Sequence, residues 1–257
     1  MTFPLESIEQ MQGFFWVLMR VSMVLFLLPL FGAGGVPALW KAGLSFLLAA
    51  ILTPVVPPPA RLPGSLPEVI LGLGSECILG LFLAFGARIL LSSVQLAGQF
   101  MSFQMGFSMA RAIDPVTGEQ STSLSQFLYL FTLLIFFAID GHHMLIRALA
   151  ASFTLVPLNT FTLSRSLSEA LISASVQMFL VGLKIAAPIM IALFLSNLCL
   201  GIVARTVPQV NILMIGFPLN IGIGLIFFGL TLTSLTPLIT ELIKNIGELL
   251  MGMLRAM

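Results

Sequence analysis

Charge is the scarcest property of this sequence: Asp, Glu, Lys and Arg make up 8% of 257 residues while 58% are hydrophobic. Soluble domains carry roughly 25% charged residues, so water is excluded as the main solvent of the chain. The few charges nearly cancel, to a net +1, and no block of Lys or Arg occurs. Nucleic acid and strong electrostatic attraction to anionic headgroups therefore have no support. Cysteine is almost missing as well. Cys77 and Cys199 both lie in apolar segments, where a thiol behaves as a small buried hydrophobe, and no disulfide is expected. HExxH, GxSxG, the Walker loop and GxGxxG are all absent, which removes the motif basis for metal, serine-nucleophile and nucleotide chemistry. No enzyme activity and no cofactor are expected.

What is present is long apolar sequence. Val21 to Trp40 is 20 residues without a charge, Ala42 to Ala60 is 19, Ile185 to Ala204 is 20 and Thr206 to Thr240 is 35. A helix needs about 20 residues to cross a ~30 Å hydrocarbon core. The expectation is an all-α, polytopic membrane protein with interrupted helices and helical hairpins. Glu6 and Glu9 precede the first apolar stretch and Arg20 lies inside it, the wrong pattern for a cleaved secretory signal, so the N-terminus is expected to be retained.

Punctuation along the chain sets the element boundaries. A first helix is predicted over Phe14 to Phe31, ending at a Gly-rich turn before Pro37, and a second over about Ala38 to Val56. A proline-rich linker follows at about 54–67, because proline cannot donate the next helical N–H. The third helix starts near Glu68 and carries Gly72, Glu76, Gly80, Ala84, Arg88 and Ser92 at a spacing of four, a small-and-polar ridge suited to helix contact. A more polar segment, Ala97 to Ile113, closes at Asp114-Pro115. Helices over about Leu124 to Ile139 and Met144 to Val156 flank a break at Asp140-Gly141-His142-His143. A long helix is expected over Glu169 to Val203, kinked at Pro188 and ended by Arg205 and Pro208, and a last one over Val210 to Leu235, interrupted at Gly216-Phe217-Pro218. An amphipathic tail starts at Pro237. No fixed-period repeat is present, and one all-helical unit over residues 1–257 is the economical reading.

Three places concentrate potential function. Glu76, Arg88 and Lys184 are the ionisable residues deepest in apolar sequence, and burying such a charge in a bilayer costs at least ~2.5 kcal/mol unless it is paired or hydrated. They read either as a polar pathway or ion-coupling site, or as charge pairs and snorkelling side chains. Asp140-Gly141-His142-His143 is the only place where potential metal ligands cluster, but adjacent histidines point about 100° apart on a helix and no third ligand stands at useful spacing. No metal site is expected there; capping of a helix end is. The third place is a Met-Phe segment: Phe100, Met101, Phe103, Met105, Phe107 and Met109 fall within ten residues. Flexible thioethers and rings of this kind either seal around objects of varied shape or simply fill a core.

Several stretches together carry a resemblance. They are Pro29-Leu30-Phe31-Gly32, Phe103-Gln104-Met105-Gly106-Phe107-Ser108 with Asp114-Pro115, Gly141-His142, and late in the chain Arg205, Pro208-Gln209 and Gly216-Phe217-Pro218-Leu219. The sequence resembles the FliR family of flagellar export-gate subunits and its type III secretion counterparts. That resemblance implies a non-enzymatic subunit of a bacterial inner-membrane gate in the flagellar basal body, assembled with FliP-like and FliQ-like subunits. FlhB-like and FlhA-like export components would be further partners, membrane lipid would contact the chain, and unfolded flagellar proteins would pass through the gate. It implies a FliP-like part followed by a FliQ-like hairpin at about 169–257, with helices lifted partly out of the bilayer and covered by neighbours. It also implies that the loop at about 104–120 plugs the pore, with Met105, Phe107, Met109 and Ile113 as the gasket. An injectisome subunit is the near alternative, and an ion-coupled transporter using Glu76 and broken helices is the distant one.

Overall fold

A computed structural model of the chain describes residues 8–28, 36–58, 65–107, 123–161, 164–206 and 212–255. Among them are seven helices: α1 (Ile8–Leu27), α2 (Ala38–Leu52), α3 (Leu66–Gln104), α4 (Ser123–Ala138), α5 (Gly141–Leu155), α6 (Arg165–Thr206) and α7 (Ile212–Arg255). No strand occurs among the described residues. The helices follow from long apolar sequence, and their ends follow from local chemistry. Pro37 precedes α2 in an extended conformation, φ −55° and ψ 142°. At the other end the Thr53 hydroxyl and N–H both donate to the Ala49 carbonyl, at 2.6 and 2.9 Å, before the prolines begin.

Among the described residues three helices are long and apolar enough to cross a membrane, over Leu66–Ile89, Arg165–Thr206 and Met214–Leu254, and the bent pair Ser123–Ala138 and Gly141–Leu155 has the form of a broken span or a re-entrant loop. The chain is a membrane protein of the all-α class. At 1.5 Å per residue, α3 with 39 residues extends about 58 Å, α6 with 42 about 63 Å and α7 with 44 about 66 Å. Each is about twice the ~30 Å hydrocarbon thickness.

The helices depart from sequence expectation in three ways. The Ala97 to Gln104 stretch, expected as a separate polar segment, continues α3 without a break; its Ser102 is buried, while Gln99 is exposed. The break between α4 and α5 is confined to Ile139 and Asp140, and both histidines lie in the first turn of α5. The interruption expected at Gly216-Phe217-Pro218 does not occur. Those residues are helical and α7 runs on through Pro218 and Pro237 to Arg255. One proline removes one hydrogen bond from the ladder, and a long helix whose remaining bonds persist absorbs that loss.

Chain contacts divide the protein into two compact units. The first comprises Met1–Leu90, Asp140–Ser175 and Ile243–Met257; the second comprises Leu91–Ile139 and Val176–Leu242. In the first unit α1 packs on α2, with Phe14 edge-on to Phe46 at 5.3 Å. Trp16, Val17 and Val21 of α1, Leu79 of α3 and Phe153 of α5 are buried. α1 and α3 touch backbone to backbone at Gly80, where an added Cβ would stand 2.9 Å from the Arg20 carbonyl oxygen. The spaced-by-four ridge of α3 serves this contact through Ala84, but Arg88 is exposed. Four residues advance 400°, so sixteen residues rotate the ridge about 160° away from where it began.

In the second unit Leu128, Phe136, Met101, Ile189 and Leu193 are buried. α6 and α7 form a hairpin: Gly216 meets Leu200, while Ser196 and Asn197 hydrogen-bond to Asn220 at 3.2 and 2.7 Å. Those pairs nest about the connection 207–211, as antiparallel neighbours require. α3 and α4 approach most closely at Gly98, where an added Cβ would lie 2.5 Å from the Ser125 Cα.

Gly98→Ala should therefore force the two backbones apart and destabilise the protein by about 1–3 kcal/mol. Gly74→Ala, at a position with nothing within 4 Å, should gain about 0.5–1 kcal/mol by helix propensity. Thermal unfolding of the full chain in detergent checks both, and equal shifts for the two variants are the outcome that contradicts the close approach.

Candidate functional site

The first unit is built around a charge centre. Arg20 of α1 and Glu76 of α3 are the two fully buried charged side chains among the described residues. The Arg20 Nε donates to Glu76 Oε2 at 2.6 Å, and Nη1 donates to the carbonyls of Ser152 at 2.9 Å and Val156 at 3.1 Å. Those carbonyls are at the C-terminus of α5, the negative end of the helix dipole, where the Ser152 carbonyl accepts the Val156 N–H at 2.9 Å as well as the guanidinium. Arginine supplies donors and opposite charge together. Glu76 Oε1 accepts the backbone N–H of Asn159 at 3.0 Å, and Asn159 is left-handed, φ 61°. The guanidinium lies over the Phe153 ring, 4.4 Å from its centroid, which offsets the lack of a hydrogen-bond partner for Nη2. One ion pair thus ties α1, α3, the end of α5 and the turn after it.

Of the three ionisable residues singled out in the sequence, only Glu76 is buried; Arg88 and Lys184 are exposed. Glu76 is paired with Arg20, 56 residues away. The geometry fits the intrachain-pair reading and gives no open coordination position at the carboxylate.

The second unit holds the Met-Phe segment. Met101 and Met105 are fully buried, Phe100 and Phe107 are half-buried, and Phe103 is exposed. As α3 ends, its hydrogen bonding tightens: the Met105 N–H reaches the Met101 carbonyl at 2.9 Å, and the Gly106 N–H reaches only to Phe103 at 3.1 Å. Gly106 turns left-handed, φ +88°, a conformation that a side chain disfavours. A Cβ there would also stand 3.2 Å from the ring of Phe217 on α7. Two turns further along the same helix, Gly224 leaves the space that the Met105 thioether fills. A Cβ at Gly224 would lie 2.6 to 2.8 Å from Met105 Cγ, Cε and Sδ. Two motifs more than a hundred residues apart, Met105-Gly106-Phe107 and Gly216-Phe217-Pro218, are thereby brought together. Met105 hooks the end of α3 onto α7. Arg205 is exposed in the last turn of α6, while Met109, Ile113, Pro208 and Gln209 lie outside the described residues.

A third cluster is tighter than its sequence suggested. Across the break before α5, Asp140 Oδ1 stands 3.4 Å from His143 Nδ1 and 4.0 Å from His142 Nε2. The two imidazole centroids are 4.2 Å apart, so the 100° separation at the backbone does not carry to the side-chain ends.

Sequence reasoning missed Arg20 and Gly224. Arg20 had a usable signal, as a cation within the first apolar helix requires a buried acid and Glu76 is a candidate. Gly224 had none, because a glycine's role depends on which side chain fills the space it leaves.

Comparison with known proteins gives the same direction over most of the chain. The profile of the bacterial export proteins, family 1, matches residues 11–246. The chain is similar to the flagellar biosynthetic protein FliR of Bacillus subtilis (strain 168), 34% identical over 230 residues that cover 85% of each protein. It is similar to FliR of Escherichia coli (strain K12), 29% identical over 92% of this chain and 90% of the relative. It is also similar to FliR of Pectobacterium carotovorum, 28% identical over 97% of this chain and 95% of the relative.

Removing one member of the charge centre leaves the other buried without its counter-ion, which costs about 3–5 kcal/mol. Arg20→Ala and Glu76→Ala should each lose that much in chemical denaturation of the detergent-solubilised chain. The apolar pair Arg20→Met with Glu76→Leu should recover most of it. Single variants within about 1 kcal/mol of the parent would show that the pair is not what holds the three helices together.

Proposed function

Since the chain belongs to the bacterial export proteins, family 1, we propose that it is a non-enzymatic subunit of a flagellar type III export gate in the bacterial inner membrane. The observation that carries this is the family match over residues 11–246, joined to similarity with FliR proteins along nearly their whole length. The gate passes unfolded polypeptide, and FliP-like and FliQ-like subunits complete it, with FlhB-like and FlhA-like components adjoining. The α6–α7 hairpin is the FliQ-like part and the preceding helices are the FliP-like part.

Two features support this reading. First, α3, α6 and α7 are each about twice as long as the bilayer core is thick, and they expose large apolar side chains such as Phe179, Ile191, Phe194, Met214 and Leu230. Lipid alone accounts for half the length of such helices, and neighbouring subunits cover the rest. Second, the Met105 hook at Gly224 gives the 104–120 loop a defined root on a rigid helix. In the proposed role that loop plugs the resting pore, with Phe107, Met109 and Ile113 beyond the hook as sealing side chains. Methionine suits a root that must release, because its three rotatable bonds let it leave a groove without a branched side chain catching.

Mass spectrometry of the tagged chain, purified in mild detergent after co-expression with its neighbouring genes, tests the assembly. A stable complex with FliP-like and FliQ-like proteins is expected, and a homogeneous monomer or homodimer overturns the proposal. The plug is tested separately by ion leakage across the inner membrane. Phe107→Gly with Met109→Gly should leak, and Gly224→Ala, which evicts Met105 from its groove, should leak as well. Parental tightness in both variants removes the seal from this loop.

A further inference from the structure

The Asp140, His142 and His143 cluster belongs neither to the charge centre nor to the hook, and neither uses its chemistry. Its three donors are presented by the shape of the break itself. Asp140 is left-handed, φ 56° and ψ 31°, and its side chain makes no capping hydrogen bond to α5. Its carbonyl accepts the His143 N–H at 2.9 Å, which fixes the backbone that carries all three groups. The carboxylate is thereby left facing two imidazoles. One oxygen of Asp140 and one nitrogen of each histidine lie within 4.8 Å of one another.

From this arrangement we propose that Asp140, His142 and His143 form a three-ligand site for a late first-row divalent cation of the zinc and cobalt type. Bonds of 2.0–2.2 Å to a tetrahedral centre place donor atoms about 3.4 Å apart. The Asp140 and His143 donors already stand at that separation, 3.4 Å, and His142, 4.0 Å from the Asp140 carboxylate, closes the set by a side-chain rotation. Two imidazoles and a carboxylate form a borderline set that favours zinc, cobalt, nickel or copper over magnesium or calcium, which prefer all-oxygen shells. Asp140 and His143 are well exposed at the protein surface, so a cation reaches them without unfolding. The sequence places Asp140 beside the histidines, and its left-handed backbone is what turns the carboxylate toward them. A cation held there clamps the first turn of α5 to the break that precedes it.

The test uses the full chain in detergent, titrated with cobalt(II) alone and followed by visible absorption, then displaced by zinc(II). One cobalt per chain is expected, with the absorption of nitrogen and oxygen ligation and no thiolate charge-transfer band. Asp140→Asn, His142→Ala and His143→Gln should each weaken binding roughly tenfold or more. Cys77→Ser with Cys199→Ser should leave it unchanged. Zinc should raise the unfolding temperature of the parent chain and not that of His143→Gln, whose metal-free unfolding temperature should equal the parent's. Absence of saturable binding, binding that survives His142→Ala with His143→Ala, or a thiolate band overturns the site.

Discussion

A fully buried arginine is a demand on everything near it. The guanidinium carries five donors and a charge that does not titrate away in a protein, and apolar surroundings return none of its hydration. In the first unit that demand is met by Glu76, two carbonyls at the end of α5, and the Phe153 ring. Each partner constrains a different element. Glu76 fixes the rotation of α3 against α1, and the approach it requires is what excludes a side chain at Gly80. The Ser152 and Val156 carbonyls fix where α5 stops, and Asn159 follows because Glu76 takes its N–H. A pair of leucines in place of Arg20 and Glu76 would bury as well, but leucines accept many rotations and registers. The ion pair accepts one, which is the specificity argument for retaining costly buried charge.

The second unit meets the same requirement for uniqueness without charge. It has a small polar cluster, Ser196 and Asn197 with Asn220, that fixes the register of α6 against α7. It also has a shape lock, Met105 in the space beside Gly224. The two kinds of restraint differ in how they fail. A buried ion pair is costly to break, whereas a thioether leaving a groove loses only dispersion contacts and some apolar burial. In the proposed gate role this difference divides labour within one chain: the charge centre serves the frame, and the hook serves the plug.

The all-helical class and the helix boundaries near Pro37, Asp140 and Arg205 were legible in the sequence because they rest on local chemistry: apolar run length and breakers. Continuity was less legible. Prolines at 218 and 237 mark breaks on local grounds, yet α7 passes through both, since a helix of 44 residues retains enough bonds and neighbours to carry two defects. Pairings over long sequence separations were least legible. Glu76 was visible as an anomaly while its solution, Arg20, was not, and His142 and His143 looked divergent because a regular helix was assumed through a break whose left-handed residue redirects Asp140.

Helix length adds a last constraint. A hydrophobic stretch that only slightly exceeds the bilayer is accommodated by tilt at fractions of a kcal/mol per Å. An excess of about 30 Å is beyond tilt, because a helix of about 60 Å would have to lean about 60° to stay within a ~30 Å core. Helices of this length must leave the hydrocarbon core for part of their run. In the gate proposed above, neighbouring subunits cover that part, and the exposed apolar side chains of α6 and α7 serve as interface before they serve as membrane surface.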